Sequence, residues 1–291
     1  MIDSHVHFWR YQASAFPWIN ADMAVLQHDF LPADYFAASG EQVTGMVAVQ
    51  ARTSWAENQF LLDLAQAEPR VQAVVGWFDF EADVCAQLEL AQTMPLLKGF
   101  RHLIQDEAHP SAYLDAHTGL NQALPRLQAA SYVYEVLIHQ ADLAAAVAFC
   151  QRHDKHYLVI DHMAKPVFGD AAAFAHWQQH MQALAALPHV VVKVSGLETE
   201  AGVGATAEDL RLHVETVWQL FGAERLLWGS DWPVSRLTHS LAEVRGHMQT
   251  LTHNWTANER AALFEGTAQR IYQLKHTDNT QRTSNGFATA R

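Results

Sequence analysis

The sequence predicts an α/β protein built as a single (β/α)8 TIM barrel. Eight short apolar segments alternate with segments of helical pattern over most of the 291 residues. Continuous apolar strands separated by helices are typical of a parallel sheet that is covered on both faces. Eight such units close most naturally into a barrel. No G-x-G-x-x-G follows the first strand, which disfavours the open dinucleotide-binding sheet that is the alternative.

Runs of apolar and β-branched residues place the strands, and amphipathic patterns place the helices between them. Strands are expected at residues 1–8, 43–50, 71–78, 96–101, 133–138, 157–161, 190–194 and 225–230. Helices are expected at residues 54–67, 83–92, 121–130, 141–152, 171–187, 207–221, 240–251 and 256–274. Ser54 with Glu57, and Thr256 with Glu259, have the spacing of capping boxes. The aromatic segment 9–32 is expected to be a loop that folds over a site or plugs one end of the barrel.

Composition limits the classes of partner. The formal net charge of -12 disfavours nucleic acid and anionic membrane surfaces, and it leaves a small-molecule substrate open. The cysteines, Cys85 and Cys150, form no disulfide framework, and neither a signal peptide nor a transmembrane run is visible. These features predict a cytoplasmic protein. We expect one domain at residues 1–275 and a poorly ordered polar tail at residues 276–291.

The first strand carries two histidines, His5 and His7, two positions apart. Side chains at this spacing on a strand point the same way. Two imidazoles held side by side are half of a metal site, or two donors for one substrate oxygen. The alternative is a pair of buried histidines that bond backbone carbonyls.

Polar residues recur where the other predicted strands end. Active sites of (β/α)8 barrels lie at the carboxyl ends of the strands. The residues there, from the fourth to the eighth strand, are Arg101, His102, His139, His162, Ser195 and Asp231. We therefore expect these side chains to meet His5 and His7 in one site.

This constellation resembles the amidohydrolase superfamily, and the sequence motifs resemble those of its lactonase-like branch, the amidohydrolase 2 proteins. The motifs are DSHVHFW at residues 3–9, GFR at 99–101, DHMAKP at 161–166, KVSG at 193–196, WGSDWP at 228–233 and GTAQRIY at 266–272. Members of this branch hydrolyse sugar-acid lactones, such as those of L-fuconate and L-rhamnonate, or pyrone dicarboxylate lactones. Other members of the wider group are decarboxylases.

One position departs from the binuclear members of the superfamily. Those members carry a bridging carboxylated lysine or a glutamate after strand four, whereas this chain has Arg101 and His102 there, and Lys98 lies inside the strand. The resemblance therefore implies no two-metal site. A site with one divalent, zinc-like ion and a site that requires no metal both remain open.

Ester hydrolysis needs a base for the attacking water and a group that stabilises the developing oxyanion. Asp231 is the expected base. His5 and His7, with Asp231, are expected to hold the one metal ion. Without metal, these histidines and His162 are expected to donate hydrogen bonds to the carbonyl.

Other strand-end residues are expected to bind the substrate. Arg101 is expected to polarise the carbonyl or to fix a substrate oxygen. His139 is expected to be a ligand, a donor or an orienting group. Trp9, Trp18, Trp77 and Trp232 are candidates for lining a sugar pocket, although a core role for Trp77 is at least as probable on sequence grounds.

The sequence thus predicts a lactonase that acts on a sugar-derived aldonolactone of the L-fucono or L-rhamnono type. A pyrone dicarboxylate is less favoured, because only Arg101 among the arginines is placed at a strand end within the constellation. Arg52 and Arg236 follow strands two and eight and weaken this argument. The alternatives are a metal-dependent decarboxylase of the same superfamily and a catalytically silent barrel used for binding.

Overall fold

The computed structural model describes residues 1–274, which form an eight-stranded parallel sheet ordered β1 to β8. The strands are β1 Ile2–Val6, β2 Gly45–Val49, β3 Val71–Gly76, β4 Leu97–His102, β5 Val133–Val136, β6 Leu158–Ile160, β7 Val190–Val194 and β8 Leu226–Trp228. A parallel bridge between Val6 and Trp232 brings the last strand beside the first. The His7 N–H donates to the Trp232 carbonyl at 2.7 Å across this junction. The predicted (β/α)8 barrel is confirmed.

Twelve α-helices lie within residues 1–274. They are α1 Pro32–Ser39, α2 Trp55–Ala67, α3 Val84–Gln92, α4 Pro110–Ala116, α5 Thr118–Ala129, α6 Leu143–Arg152, α7 Ala171–Ala185, α8 Leu197–Ala201, α9 Ala207–Phe221, α10 Leu241–Leu251, α11 Ala257–Ala261 and α12 Thr267–Ile271. A π-helical stretch, Ala262–Gly266, joins α11 to α12. The sequence missed α1, α4 and α8, because eight residues or fewer are too short to show an amphipathic period.

The two predicted capping boxes have different outcomes. Thr256 accepts from the N–H of Glu259 at the start of α11, and the Glu259 carboxylate accepts from the N–H of Thr256. Ser54 caps α2 without any side-chain hydrogen bond, so that prediction is wrong. The Glu57 carboxylate instead accepts from the Ala51 N–H at 3.0 Å and from Arg52 Nε at 2.6 Å. Glu57 thereby fixes the loop that follows β2.

Segment 9–32 is held at its two ends by an antiparallel bridge between Trp9 and Phe30. The Trp9 ring packs against the rings of Phe16, Trp18 and Phe30 at centroid distances of 5.4–5.8 Å. Aromatic packing of this kind orders the segment together with a 3-10 helix at Ala21–Leu26. The segment covers the carboxyl ends of the strands.

Buried apolar side chains fill the interface between the strands and the surrounding helices, and a second apolar cluster lies at the amino end of the barrel around Val47, Val75 and Tyr272. Among residues 1–274, no helix is long and apolar enough to cross a membrane. The tail predicted at residues 276–291 lies outside the described residues.

Candidate active site

A cavity of about 240 Å³ opens at the carboxyl ends of the strands, where active sites of this fold lie. Its polar walls come from His7, Arg101, Gln105, Asp106, His162, Lys165, Thr199 and Asp231. Its apolar walls come from Trp18, Met23, Ala51, Leu103, Leu137, Val234 and Leu237. The cavity therefore combines a titratable floor with a partly apolar rim.

His5, His7 and Asp231 meet at the floor. The Nε2 atoms of His5 and His7 are 3.2 Å apart, and Oδ1 of Asp231 lies 3.3 Å from His7 Nε2 and 3.8 Å from His5 Nε2. His7 Nδ1 lies 2.8 Å from the Val49 carbonyl, an acceptor, so Nδ1 carries the proton. The Nε2 lone pair of His7 is then free for a metal ion or a donor.

Backbone conformation places Asp231 against the histidines. Asp231 has φ of 55°, and its N–H donates to the His5 carbonyl at 2.9 Å. Gly196 approaches from β7 with φ of 66°, and a Cβ there would lie 2.8 Å from His162 Nδ1 and 3.2 Å from Asp231 Oδ2. A side chain at position 196 would push both groups aside, which explains the glycine of the KVSG motif.

His162 lies beside His5 and Asp231. Its Nδ1 lies 2.9 Å from Ser195 Oγ, and its ring is 4.5 Å from that of His5. Burial lowers the pKa of His162 to about 4, against the opposite effect of Asp231 and Asp161, so the ring is neutral near pH 7. Burial alone would raise the pKa of Asp231, but the imidazoles of His162 and His7 outweigh it, and the pKa is lowered. Asp231 is therefore an ionised carboxylate at neutral pH.

Arg101 is held by the protein rather than left open to a ligand. Its Nη1 donates to Asp161 Oδ2 at 3.0 Å and lies 3.1 Å from His5 Nε2. Its Nη2 donates to the carbonyl and to the side-chain oxygen of Gln50. The residue is 2% exposed, and Nε has no partner among residues 1–274. The guanidinium thus orients His5 and Asp161, although it also contributes to the cavity wall.

A buried charged layer lies beneath His5. The Lys193 ammonium contacts both Glu135 oxygens at 2.7 Å and lies 3.1 Å from His5 Nδ1. Asp161 Oδ1 is 3.7 Å from the same ammonium. Burial and the charge of Asp161 raise the pKa of Glu135 to about 7, although Lys193 and Arg101 oppose the shift. The sequence assigned these strand-interior charges no role; the available signal was one charged residue within each of the buried strands β5 and β7.

Several predicted site residues lie elsewhere. His139 follows β5 but is exposed, and Leu137 takes the place on the cavity wall. Trp9 is fully buried, with its indole N–H donating to the His28 carbonyl. Trp232 packs against Phe30 and Tyr35. Neither indole lines the cavity, because both pack against aromatic side chains of segment 9–32. Trp18 lines the cavity instead.

Lys165 is the main wall residue that the sequence analysis overlooked. It is the lysine of the DHMAKP motif, which supports the family resemblance but does not by itself indicate a chemical role for this lysine. Gln105, Asp106 and Thr199 were also missed. The first two lie in a 3-10 helix, Ile104–Asp106, and Thr199 lies in α8, and helices this short show no amphipathic period.

The donor set and the distances fit one divalent ion. Four-coordinate zinc with ligands at about 2.1 Å has ligand atoms about 3.4 Å apart, which follows from tetrahedral geometry. The separations among the Nε2 atoms of His5 and His7 and Oδ1 of Asp231 run from 3.2 to 3.8 Å. His162 can join His5 and Asp231 in an alternative set of three within 4.8 Å.

Comparison with known proteins supplies the family. The model of the family described as Amidohydrolase matches residues 2–274. The chain belongs to this amidohydrolase family. An L-fucono-1,5-lactonase of Burkholderia multivorans is 45% identical over 289 residues, which cover 94% of this chain and 96% of that protein. An L-fucono-1,5-lactonase of Burkholderia ambifaria is 33% identical and covers 96% of this chain and 98% of its own length.

A solved amidohydrolase structure gives the same picture of the fold. The crystal structure of an amidohydrolase from Burkholderia multivorans with bound zinc is 43% identical, with a TM-score of 0.89. The alignment covers 94% of this chain and 99% of that chain. The family resemblance read from the motifs is thereby confirmed over the whole described barrel.

Proposed function

We propose that this amidohydrolase hydrolyses a sugar-derived aldonolactone to the aldonic acid, and that L-fucono-1,5-lactone is the best specific candidate. The observation that carries the proposal is the pair formed by Asp231 and His7 on the wall of a small, partly polar cavity. The names of the two Burkholderia relatives support the same substrate class. We further propose that the enzyme works in the cytoplasm, because Cys85 and Cys150 are both free thiols.

Asp231 acts as the base in this proposal. An ionised carboxylate at the cavity wall takes a proton from water as the water attacks the lactone carbonyl carbon. His7 Nε2 lies 3.3 Å from the carboxylate, and the hydrogen bond from the Asp231 N–H to the His5 carbonyl fixes the backbone of Asp231. His162, neutral and oriented by Ser195, donates a hydrogen bond to a lactone oxygen. A divalent ion bound by His5, His7 and Asp231 would supply Lewis acidity at this site.

The remaining predicted residues take supporting roles. Arg101 positions His5 and Asp161 through its hydrogen bonds. Trp18 provides an apolar face for a sugar ring, with its indole N–H fixed on the Ala51 carbonyl at 2.8 Å. His139, Trp9 and Trp232 are assigned no contact with the substrate, because none of them lines the cavity.

A pyrone dicarboxylate suits the cavity less well, because two carboxylates require cationic partners. Arg52 is paired with Glu57, and Arg236 lies over the Phe30 ring at 5.1 Å. Neither arginine lines the cavity, whereas the carboxylates of Asp106 and Asp231 do. Arg52 and Arg236 therefore do not provide the cationic partners that a dicarboxylate substrate would need. Decarboxylation is also less favoured, since both curated relatives named above are lactonases.

The test is acid release from a panel of sugar lactones, measured with metal-loaded and with chelator-treated protein. We expect rapid hydrolysis of six-carbon deoxy-lactones, with little acid release from 2-pyrone-4,6-dicarboxylate. Absence of acid release from every lactone would contradict the proposal. Carbon dioxide release from aromatic or β-keto acids by the same preparation would then identify a decarboxylase.

A further inference from the structure

Lys165 reaches the cavity through an unusual turn. Four consecutive residues, 162–165, have positive φ angles between 50° and 58°. Non-glycine residues rarely adopt this conformation, and each such residue costs about 1–3 kcal/mol unless its surroundings enforce it. Met163 and Ala164 are fully buried and anchor the turn, while His162 and Lys165 both line the cavity. The strained turn thus delivers two polar side chains to one site.

The ammonium of Lys165 is poorly engaged by the protein. The nearest carboxylate oxygen is Glu200 Oε1 at 3.6 Å, which exceeds hydrogen-bond distance. Within residues 1–274, its Nζ makes no hydrogen bond, although the side chain is only 17% exposed. An ammonium has three N–H donors, so Lys165 retains donors for a ligand.

The other two cations of the site are occupied. Arg101 donates to Asp161 and Gln50, and Lys193 is enclosed by Glu135, Asp161 and His5. Neither can turn toward a ligand without leaving a buried carboxylate unpaired, which is strongly unfavourable. Among the cations described in residues 1–274, Lys165 is therefore the cavity residue best able to meet new negative charge.

The position of Lys165 relative to the base suits this task. Lys165, His162 and Asp231 all line the same cavity, so the three groups surround one space. Attack on a lactone carbonyl moves charge from the water to the carbonyl oxygen. A base on one side and a cation on the other match that displacement, and a partly buried site strengthens both interactions.

We propose that Lys165 is a catalytic residue that donates to the lactone carbonyl oxygen and stabilises the oxyanion formed there. The inference rests on the proposed lactone hydrolysis. Water oxygen bonds to the carbonyl carbon while its proton passes to Asp231, and the carbonyl π pair moves onto the oxygen that faces Lys165. When the carbonyl reforms, the ring C–O bond breaks and the ring oxygen takes the proton from Asp231. The hydroxy acid is released, and Asp231 is again ionised.

Steady-state hydrolysis by Lys165→Met, Lys165→Arg and Glu200→Gln tests the proposal. Loss of one oxyanion donor typically lowers kcat by about 10²–10³-fold, and we expect this for Lys165→Met with KM changed by less than about threefold. Lys165→Arg keeps a donor, and its kcat is expected to be at least tenfold higher than that of Lys165→Met. Glu200→Gln removes the ion-pair partner but keeps the ammonium, so its kcat is expected to stay near that of the wild type.

The inhibition constant of the aldonate product is a second measurement, and it should not change if Lys165 has a purely structural role. The product carboxylate is anionic and the lactone is neutral, so Lys165→Met is expected to raise the inhibition constant of the aldonate more than the KM of the lactone. A kcat of Lys165→Met within threefold of the wild type, with an unchanged inhibition constant, would overturn the proposal. If the Met variant does not fold, Lys165→Gln is compared on the same two measurements. Failure of the wild type to hydrolyse any lactone would instead overturn the proposed function.

Discussion

Nε2 of His7 lies 3.3 Å from Oδ1 of Asp231, although the two residues are separated by almost the whole described chain. The contact is made across the junction at which β8 meets β1. It brings an imidazole whose Nδ1 carries the proton beside an ionised carboxylate, which is the proposed base for water.

Asp231→Asn removes the proposed base and leaves the shape of the side chain nearly unchanged. We expect kcat for lactone hydrolysis to fall by at least about 10²-fold, which is the lower end for loss of a general base. The melting temperature should change little, since the amide is nearly isosteric with the carboxylate. The matched control is Asp63→Asn on the exposed face of α2, which should keep full activity. Near-normal turnover by Asp231→Asn would exclude Asp231 as the base.

Zinc binding tests the ligand set without relying on activity. A ligand that binds the native state alone at 100 times its Kd stabilises it by about 2.7 kcal/mol. We therefore expect Zn²⁺ to raise the melting temperature of chelator-treated wild-type protein and to have a smaller effect on His7→Asn and Asp231→Asn. Equal shifts in all three proteins would assign the ion to other histidines, such as the exposed His176 and the half-buried His180 on α7.

The layer beneath His5 contributes to stability as a unit. Lys193→Met leaves the fully buried Glu135 without its ion partner, and breaking a buried pair in this way typically costs about 3–5 kcal/mol. Urea denaturation should show a loss of that size. The double variant Lys193→Met with Glu135→Gln should recover part of it, since no charge is then stranded. Lys155→Met, at an exposed lysine paired with Asp154, is the control and should cost less than about 1 kcal/mol.

His213 predicts an acid-sensitive contribution to stability outside the active site. Its ring packs against Phe168, Phe174 and Trp177, and neither nitrogen has a partner among residues 1–274. Burial lowers the pKa of His213 to about 4 in the folded state, below the ordinary value of 6.5. The unfolded chain therefore binds the proton first as the pH falls, so the stabilising effect is complete above about pH 6.5 and is lost toward pH 4.

Unfolding free energies measured from pH 7 to pH 4 test this dependence. The contribution of His213 over that range should be about 1–3 kcal/mol. His213→Phe should flatten the wild-type slope, whereas His253→Asn, at an exposed histidine, should keep it. Equal slopes in the wild type and His213→Phe would show that other groups govern the acid response.

The pattern of apolar residues was sufficient to predict the barrel. Strands that are buried on both faces form continuous apolar runs, and eight such runs alternate with helices along the chain. It also placed His5, His7, His162 and Asp231 together, since strand ends of one barrel share one face. It could not show that the hydrogen-bonding groups of Arg101 are already used by Asp161 and Gln50. Nor could it show that Trp9 and Trp232 turn into the aromatic core while Trp18 reaches the cavity, because packing within a long loop has no periodic pattern.

The Val6–Trp232 bridge has a consequence for the order in which the site appears during synthesis. His5 and His7 emerge from the ribosome early, but Asp231 and its hydrogen bond to the His5 carbonyl come only after β8 has been made. Until then the two histidines have no carboxylate from position 231 beside them. A growing chain therefore lacks the complete proposed site until the barrel closes.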